Sequence, residues 1–440
     1  MHVAMLRVVI LAVVTFASGC CGSAPCYDHQ NVTYKSTFVP ATCDTPCTAT
    51  PFFSPDTSLS TYVDLIESAT EAIDIFTPDF NSFGSCTNHN GTCGGHCIGC
   101  TLEDQRNESF PIFAALLNAV HLHNVSVRLL INDYYVPTCQ GMIAPLDWLS
   151  LNGIQVRLYR TTTFLHSKFV MIDYGRRTSV SSVNFSYTSF LKNREAGIVL
   201  DQCSCSAIGL YKSVFDNDWD LGYDYVVSNT YTSSELEYIT DPSMIPYAMS
   251  HRPARPGVYV APLIPFKDVT VKIAYTGPDY AYDTVMAGLA QTRSSLQVMI
   301  YQITDTALCN EMLNLSMRGV NVTLLVSSYV VSYTDYLIAK KCYDILYNRG
   351  LNGHIRKTSH VFTFSHQKFW IIDNSIVHLS TGNWSPDDVP DASIFPPYAD
   401  SGTSVFRDMF VAVENPGVVR AFQDVFNNDW AIGTDWGLHS

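Results

Sequence analysis

One ordered series of motifs occurs twice in this chain, and that duplication commits its two halves to the same architecture. The first copy reads His166-Ser167-Lys168-Phe-Val-Met-Ile-Asp173, followed by Ser181-Ser182-Val183-Asn184. The second reads His366-Gln367-Lys368-Phe-Trp-Ile-Ile-Asp373, followed by Ser380-Thr381-Gly382-Asn383. Other anchors keep the same order. Upstream, the run from Leu116 to Ile131 parallels the run from Met312 to Val326, each a helix-like stretch, a turn and a β-branched strand. Downstream, Phe215-Asp-Asn-Asp218-Trp219 matches Phe426-Asn-Asn-Asp429-Trp430.

Within the first half, strand patterns at Ala72–Phe76, Val125–Asn132, Val156–Tyr159 and Phe169–Ile172 alternate with helical patterns at Phe110–His121 and Pro145–Leu151. Such alternation implies buried strands covered by helices, hence an α/β sandwich for each half. The expected architecture is two similar α/β lobes, residues 23–226 and 257–440, related by pseudo-two-fold symmetry with a site at their interface. The polar, Pro-containing stretch Val227–Pro256 is the expected linker. Two segments break the repeat: Ser82–Cys100, rich in Gly, Cys and His, and Ser385–Ser401, rich in Pro and Asp. Both follow strand ends, where loops shape the mouth of a site.

At the N-terminus, Arg7 precedes an apolar run from Val8 to Ala17 and the small-residue zone Ser18-Gly19-Cys20-Cys21-Gly22. The run is short for a membrane span and fits a signal peptide over residues 1–22, with a retained signal anchor as the second reading. Asn-x-Ser/Thr acceptors at Asn31, Asn90, Asn107, Asn124, Asn314 and Asn321, with 14 cysteines, point to an oxidising secretory lumen, lysosome-like delivery or secretion. In that compartment the Cys86, Cys93, Cys97 and Cys100 cluster, with His89 and His96, reads as disulfides rather than a zinc knuckle, so no metal is expected. A net charge of −14 argues against a broad electrostatic grip on nucleic acid, but leaves room for a small basic pocket.

Residues two apart on a strand share a face, so His166 and Lys168 enter one pocket together, as do His366 and Lys368. Asn184 and Asn383 arrive at the following turns. Two imidazoles, two ammonium groups and two amides suit a phosphodiester. The cations and amides stabilise charge on the equatorial oxygens, one imidazole attacks, and the other protonates the leaving oxygen. Asp173 and Asp373 lie an odd number of residues from their histidines, face away, and are expected to be structural partners. Trp219 and Trp430 are expected to fill equivalent core sites, and Cys203 and Cys205 to form disulfides with partners left open. Asn184 and Asn383 also match the glycosylation pattern, but are expected inside the pocket.

The duplicated His-x-Lys-x4-Asp motifs with trailing Asn resemble the phospholipase D superfamily. With the stretch Asn193–Cys205, the Phe-x-Asn-Asp-Trp repeat and Gly382-Asn-Trp-Ser385, the chain is similar to the luminal phospholipase D-like branch known from animal lysosomes. The resemblance implies catalysis without metal or cofactor, through a covalent phosphohistidine. It implies His166 as nucleophile, His366 as acid/base, Glu195 as the carboxylate orienting the first histidine, and Asp400 as its second-half counterpart. Two departures bear on amide placement: Ser181 and Ser380 replace the usual Gly before the turn, and the first turn is one residue longer. The nearest branch implies single-stranded nucleic acid, cleaved from its 5′ end, as the substrate. The superfamily name implies instead a phospholipid head group, hydrolysed or transferred with transient contact at a membrane surface. A non-enzymatic glycoprotein would need an incomplete pocket, and every reactive group is present.

Overall fold

Apolar, β-branched runs become buried strands in both halves, and they pair in the same order. In the first half the strands are β1 (Cys47–Ser54), β2 (Ala72–Thr77), β3 (Ser126–Asn132), β4 (Gln155–Tyr159), β5 (Thr163–Leu165), β6 (Phe169–Ile172), β7 (Arg177–Ser181), β8 (Glu195–Asp201) and β9 (Tyr223–Asp224). In the second they are β10 (Phe266–Gly277), β11 (Ser295–Ile300), β12 (Asn321–Val326), β13 (Ile355–Lys357), β14 (Lys368–Ile372), β15 (Ile376–Ser380), β16 (Val405–Glu414) and β17 (Thr434–Asp435). The computed structural model describes residues 38–80, 111–133, 140–159, 163–244, 259–351, 353–391 and 405–439. Residues 1–22, the Cys86–Cys100 cluster, Asn31, Asn90, Asn107 and Asp400 lie outside them.

The first sheet runs β9-β4-β3-β2-β6-β7-β8-β1. The second runs β17-β13-β12-β11-β14-β15-β16-β10, the same order strand for strand. Three neighbours in each sheet, β2-β3-β4 and β11-β12-β13, are parallel and therefore need crossover connections. Helices Pro111–His123 and Gln140–Leu151 supply them in the first lobe, Thr306–Met317 and Tyr333–Arg349 in the second. Pro145, expected at a helix start, sits inside its helix.

The lobes share a core. Phe53, Phe76 and Phe169 of the first lobe and Phe369, Val411 and Phe422 of the second belong to one buried cluster, with Phe53 edge-on to Phe422 at 5.1 Å. The sheets also join directly, β1 antiparallel to β10 and β5 parallel to β16. An apolar interface threaded by strand pairing resists the relative motion usual between domains. The stretch expected as a linker holds a helix, Ser233–Thr240, whose first turn is closed reciprocally by Thr232 and Glu235. Tyr238 packs on Trp148, and Ile239 enters the first lobe's core, so this segment belongs to that lobe.

Cys203 and Cys205 bond to Cys47 and Cys43, tying the start of β1 to the turn after β8, and Cys309–Cys342 links two helices of the second lobe. The first two bridges close almost the same loop, with sequence separations of 162 and 156. Removing one leaves the other to constrain the unfolded chain, so loop-closure entropy predicts a loss of about 2 kcal/mol for the first bridge removed and about 5 kcal/mol for the second. Urea unfolding of serine variants in both orders checks this; equal losses for the two steps would contradict it.

Candidate active site

Each motif is a strand followed by a tight hairpin. Asp173 and Asp373 stand at the hairpin tips with positive φ, and each carboxylate accepts hydrogen bonds from three successive backbone N–H groups, Thr70, Glu71 and Ala72 for Asp173, Arg293, Ser294 and Ser295 for Asp373. Burial would raise both pKa values, but these donors outweigh it and hold both carboxyls below the usual range. The two aspartates therefore pin the motif hairpin to the start of β2 or β11. Asp373→Ala is expected to lower stability by about 1–3 kcal/mol through unpaired donors, while any turnover by the folded protein stays within about twofold. Urea unfolding and initial rates separate the two effects, and a kcat loss of two orders would make Asp373 part of the chemistry.

The extra residue of the first turn lies in the Asp173–Arg176 hairpin tip, because Ile172 pairs with Arg177 whereas Ile372 pairs with Ile376. It does not touch amide placement. The serines that replace glycine build matching turns: the Ser181 hydroxyl accepts from Val183 N–H at 3.1 Å and the Ser380 hydroxyl from Gly382 N–H at 2.8 Å. Asn184 and Asn383 follow, each with a buried side-chain oxygen that takes no hydrogen bond among the described residues.

The histidines are positioned by the opposite lobe. His166 donates its N–H to the carbonyl of Arg407 at 3.1 Å, and His366 donates to the carbonyl of Arg194 at 2.8 Å. Their side chains cross over likewise. His366 Nδ1 lies 3.0 Å from Glu195 Oε2 and 3.1 Å from the Ser182 carbonyl. His166 Nδ1 lies 3.1 Å from Asp408 Oδ1 and 3.0 Å from Asp388 Oδ1. Glu195 thus orients the second histidine, not the first as the resemblance implied, because its strand end bridges to Ser365 across the lobe boundary. Its counterpart is Asp408 rather than Asp400: Ser181 pairs with Gly197 and Ser380 with Phe410, which aligns Glu195 with Asp408. Ser182 and Thr381 complete the match, donating to Glu195 at 2.7 Å and Asp408 at 2.6 Å.

Both motif lysines are fully buried, and Lys168 and Lys368 each donate to the carbonyl of the histidine two residues earlier. Burial, opposed by Asp408 and Asp388, lowers the Lys168 pKa to about 8, and burial together with the Lys168 charge carries Lys368 well below its usual value. Burial also pulls His366 down to about 4 against the attraction of Glu195. Asp79, just past β2, is half-buried near Lys168, and its carboxyl is pushed up to about 6 by desolvation against the pull of Lys168 and His166. Nothing in the motif pattern marked it. Among the described residues, His166, Asp388 and Asp408 are the one group of donors close enough together to hold a metal ion.

Behind the histidines stand two buried arginines missed at the sequence level. Arg194 binds Asp429 of the opposite lobe at 2.8 and 3.1 Å and Asp56 of its own at 2.7 Å. Arg407 binds Asp218 of the opposite lobe at 2.7 and 3.3 Å and Asp279 of its own at 2.9 Å. The signal was the aspartate of the Phe-x-Asn-Asp-Trp repeat. Its tryptophans, Trp219 and Trp430, do take equivalent places, at the core margin under Arg157 and Arg356 with guanidinium carbons 4.9 and 5.0 Å from the ring centres.

A family model described as "Cardiolipin synthase, PLD-like domain" matches residues 97–219 and 285–430, together more than half of the chain. A probable phospholipase D of Caenorhabditis elegans is 23% identical over 295 residues, covering 60% of this chain and 49% of that protein. The 5'-3' exonuclease PLD4 of Mus musculus is 25% identical over 289 residues, covering 60% of this chain and 56% of its own. The chain thus spans about half the length of these curated relatives. In fold it is similar to the phosphatidylserine synthase of Haemophilus influenzae, with a TM-score of 0.57, 10% identity and 89% of both chains covered. Duplicated motifs, sheets of matching order and a family model spanning both halves have one reading: the chain belongs to the phospholipase D superfamily.

Proposed function

We propose that this protein is a phosphodiesterase working through a covalent phosphohistidine in a secretory lumen, as a 5′ exonuclease on single-stranded nucleic acid. The observation that carries the reaction class is the crossed pair of histidines, each held at Nδ1 by a buried carboxylate of the opposite lobe. A carboxylate at Nδ1 fixes the tautomer and leaves Nε2 for chemistry. Lys168, Lys368, Asn184 and Asn383 supply cations and amides for the phosphoryl oxygens. Three disulfides among the described residues and the exposed acceptors Asn124, Asn314 and Asn321 support the luminal setting.

Nucleic acid is supported by aromatic rings on both sides of the site. Phe164 and Phe406, both half-buried, lie 6.3 and 5.1 Å from the His166 ring, and Phe364, also half-buried, lies 5.8 Å from His366. Rings at a cationic pocket suit stacked bases without sequence readout. A lipid substrate is the second reading, supported by exposed Tyr329, Val331, Tyr333, Leu337 and Ile338 on the segment leading from Tyr329, which packs on Phe364. Purified protein assayed side by side on a single-stranded oligonucleotide and phosphatidylcholine vesicles decides between them; turnover of the vesicles alone would overturn the nuclease reading.

Activity is expected to stay within about twofold after EDTA, because Lys168 and Lys368 supply the charge that a metal ion would otherwise provide at phosphate. Loss with EDTA and recovery with zinc would make His166, Asp388 and Asp408 a metal site.

A further inference from the structure

The lobes match in most site residues, and Asp388 is one that breaks the match. It lies in the Pro- and Asp-rich segment after Asn383, is 1% exposed, and places Oδ1 3.0 Å from His166 Nδ1. Ser385 holds it there: the hydroxyl donates to Asp388 Oδ2 at 2.5 Å and accepts from Asp388 N–H at 3.1 Å. Room for it comes from Gly382. A Cβ at that position would stand 2.7 Å from Asp388 Oδ1 and 2.5 Å from Asp408 Oδ2, so no side chain fits there without displacing the carboxylates. The first lobe carries Val183 at the place of Gly382 and, three residues past its turn serine Ser186, the uncharged Ser189 at the place of Asp388. His166 is therefore flanked by two carboxylates and His366 by one.

Resting on the phosphodiesterase reading, we propose that Asp388 is a positioning residue that makes His166 the proton donor of the pair and leaves His366 to attack phosphorus. This reverses the order implied by the resemblance. The groups facing His166 are Asp388 and Asp408 at Nδ1, with Lys168 and Asp79 beside them. Those facing His366 are Glu195, Lys368, Lys168 and Tyr301, whose ring centre lies 5.1 Å from that of the imidazole. Asp388 gives His166 a second carboxylate at Nδ1, 3.0 Å away beside Asp408 at 3.1 Å, whereas His366 is buried between a single carboxylate and two ammonium groups. Its lowered pKa agrees with an imidazole that is neutral when it attacks.

The steps balance. The Nε2 lone pair of His366 forms the P–N bond as the P–O bond to the leaving group breaks, and the leaving oxygen takes the proton from His166 Nε2. Water then attacks phosphorus, His166 recovers a proton from it, and the P–N bond breaks with its electron pair returning to His366. Throughout, the Nδ1–H of His166 stays on Asp408 Oδ1, with Asp388 Oδ1 beside it.

The experiment has two parts. Wild-type protein is reacted with a p-nitrophenyl phosphodiester, denatured at alkaline pH where phosphohistidine survives, and mapped by mass spectrometry. Asp388→Asn and Asp388→Ser, the latter copying Ser189, are then assayed on the p-nitrophenyl diester and on an alkyl diester that needs a proton donor. Phosphate on His366 is expected. So is a roughly hundredfold fall in kcat/KM on the alkyl diester against less than tenfold on the aryl one. Phosphate on His166, or equal losses on both substrates, overturns the assignment. A wild-type protein that turns over neither diester overturns the phosphodiesterase reading itself.

Discussion

His166→Ala and His366→Ala are each expected to lower turnover of an unactivated phosphodiester by about 10²- to 10⁴-fold, and the double variant to be no slower than the worse single one. Attack and protonation belong to one transition state, so once either is lost the other has little left to accelerate. The geometry supports a single unit. Each histidine is anchored by backbone and carboxylate from the other lobe, and Lys168, beside one, donates to the Thr381 carbonyl of the other lobe at 3.3 Å. The singles should part on an aryl diester, whose leaving group needs no proton: His166→Ala recovers there and His366→Ala does not. Multiplicative losses in the double variant would show two independent sites instead.

The fold was legible because the duplication is a physical constraint on both halves. Once β-branched runs at Ala72–Phe76 and Phe169–Ile172 are read as buried strands, the second half must bury Ser295–Ile300 and Lys368–Ile372 in the same way. The crossing of carboxylates was not legible. Glu195 lies in one motif block with His166, and only the bridge from Arg194 to Ser365 turns it toward His366. Asp408 did carry a local signal, since Arg407-Asp408 before an apolar run repeats Arg194-Glu195, and the reading of Asp400 passes over it. Asp388 had no signal, since a Pro- and Asp-rich segment reads as a solvated loop until Gly382 and Ser385 are seen to seat it. The Thr232–Glu235 pair was a helix-start signal inside the stretch taken as linker, hidden by its polar surroundings.

The arginines behind the site set up the second large effect. Arg407 is 0% exposed, as are its partners Asp218 and Asp279 in their side chains, so Arg407→Ala strands two carboxylates in a dry interior and is expected to cost about 3–5 kcal/mol. Arg407→Lys is expected to recover little of it, because one ammonium cannot replace a planar fork that meets Asp218 with two nitrogens and Asp279 with a third. Replacing the set together, Arg407→Met with Asp218→Leu and Asp279→Leu, should restore most of the stability, since no charge remains to be desolvated. It should not restore full turnover: Asp218 belongs to the other lobe, so the ion pair fixes how far Arg407, and with it the carbonyl that receives His166 N–H, reaches across the interface. Urea unfolding and kcat on the three variants measure both quantities. A triple variant that regained stability and activity alike would show that the apolar core alone sets the histidine's position, and that the paired charges contribute nothing to the site.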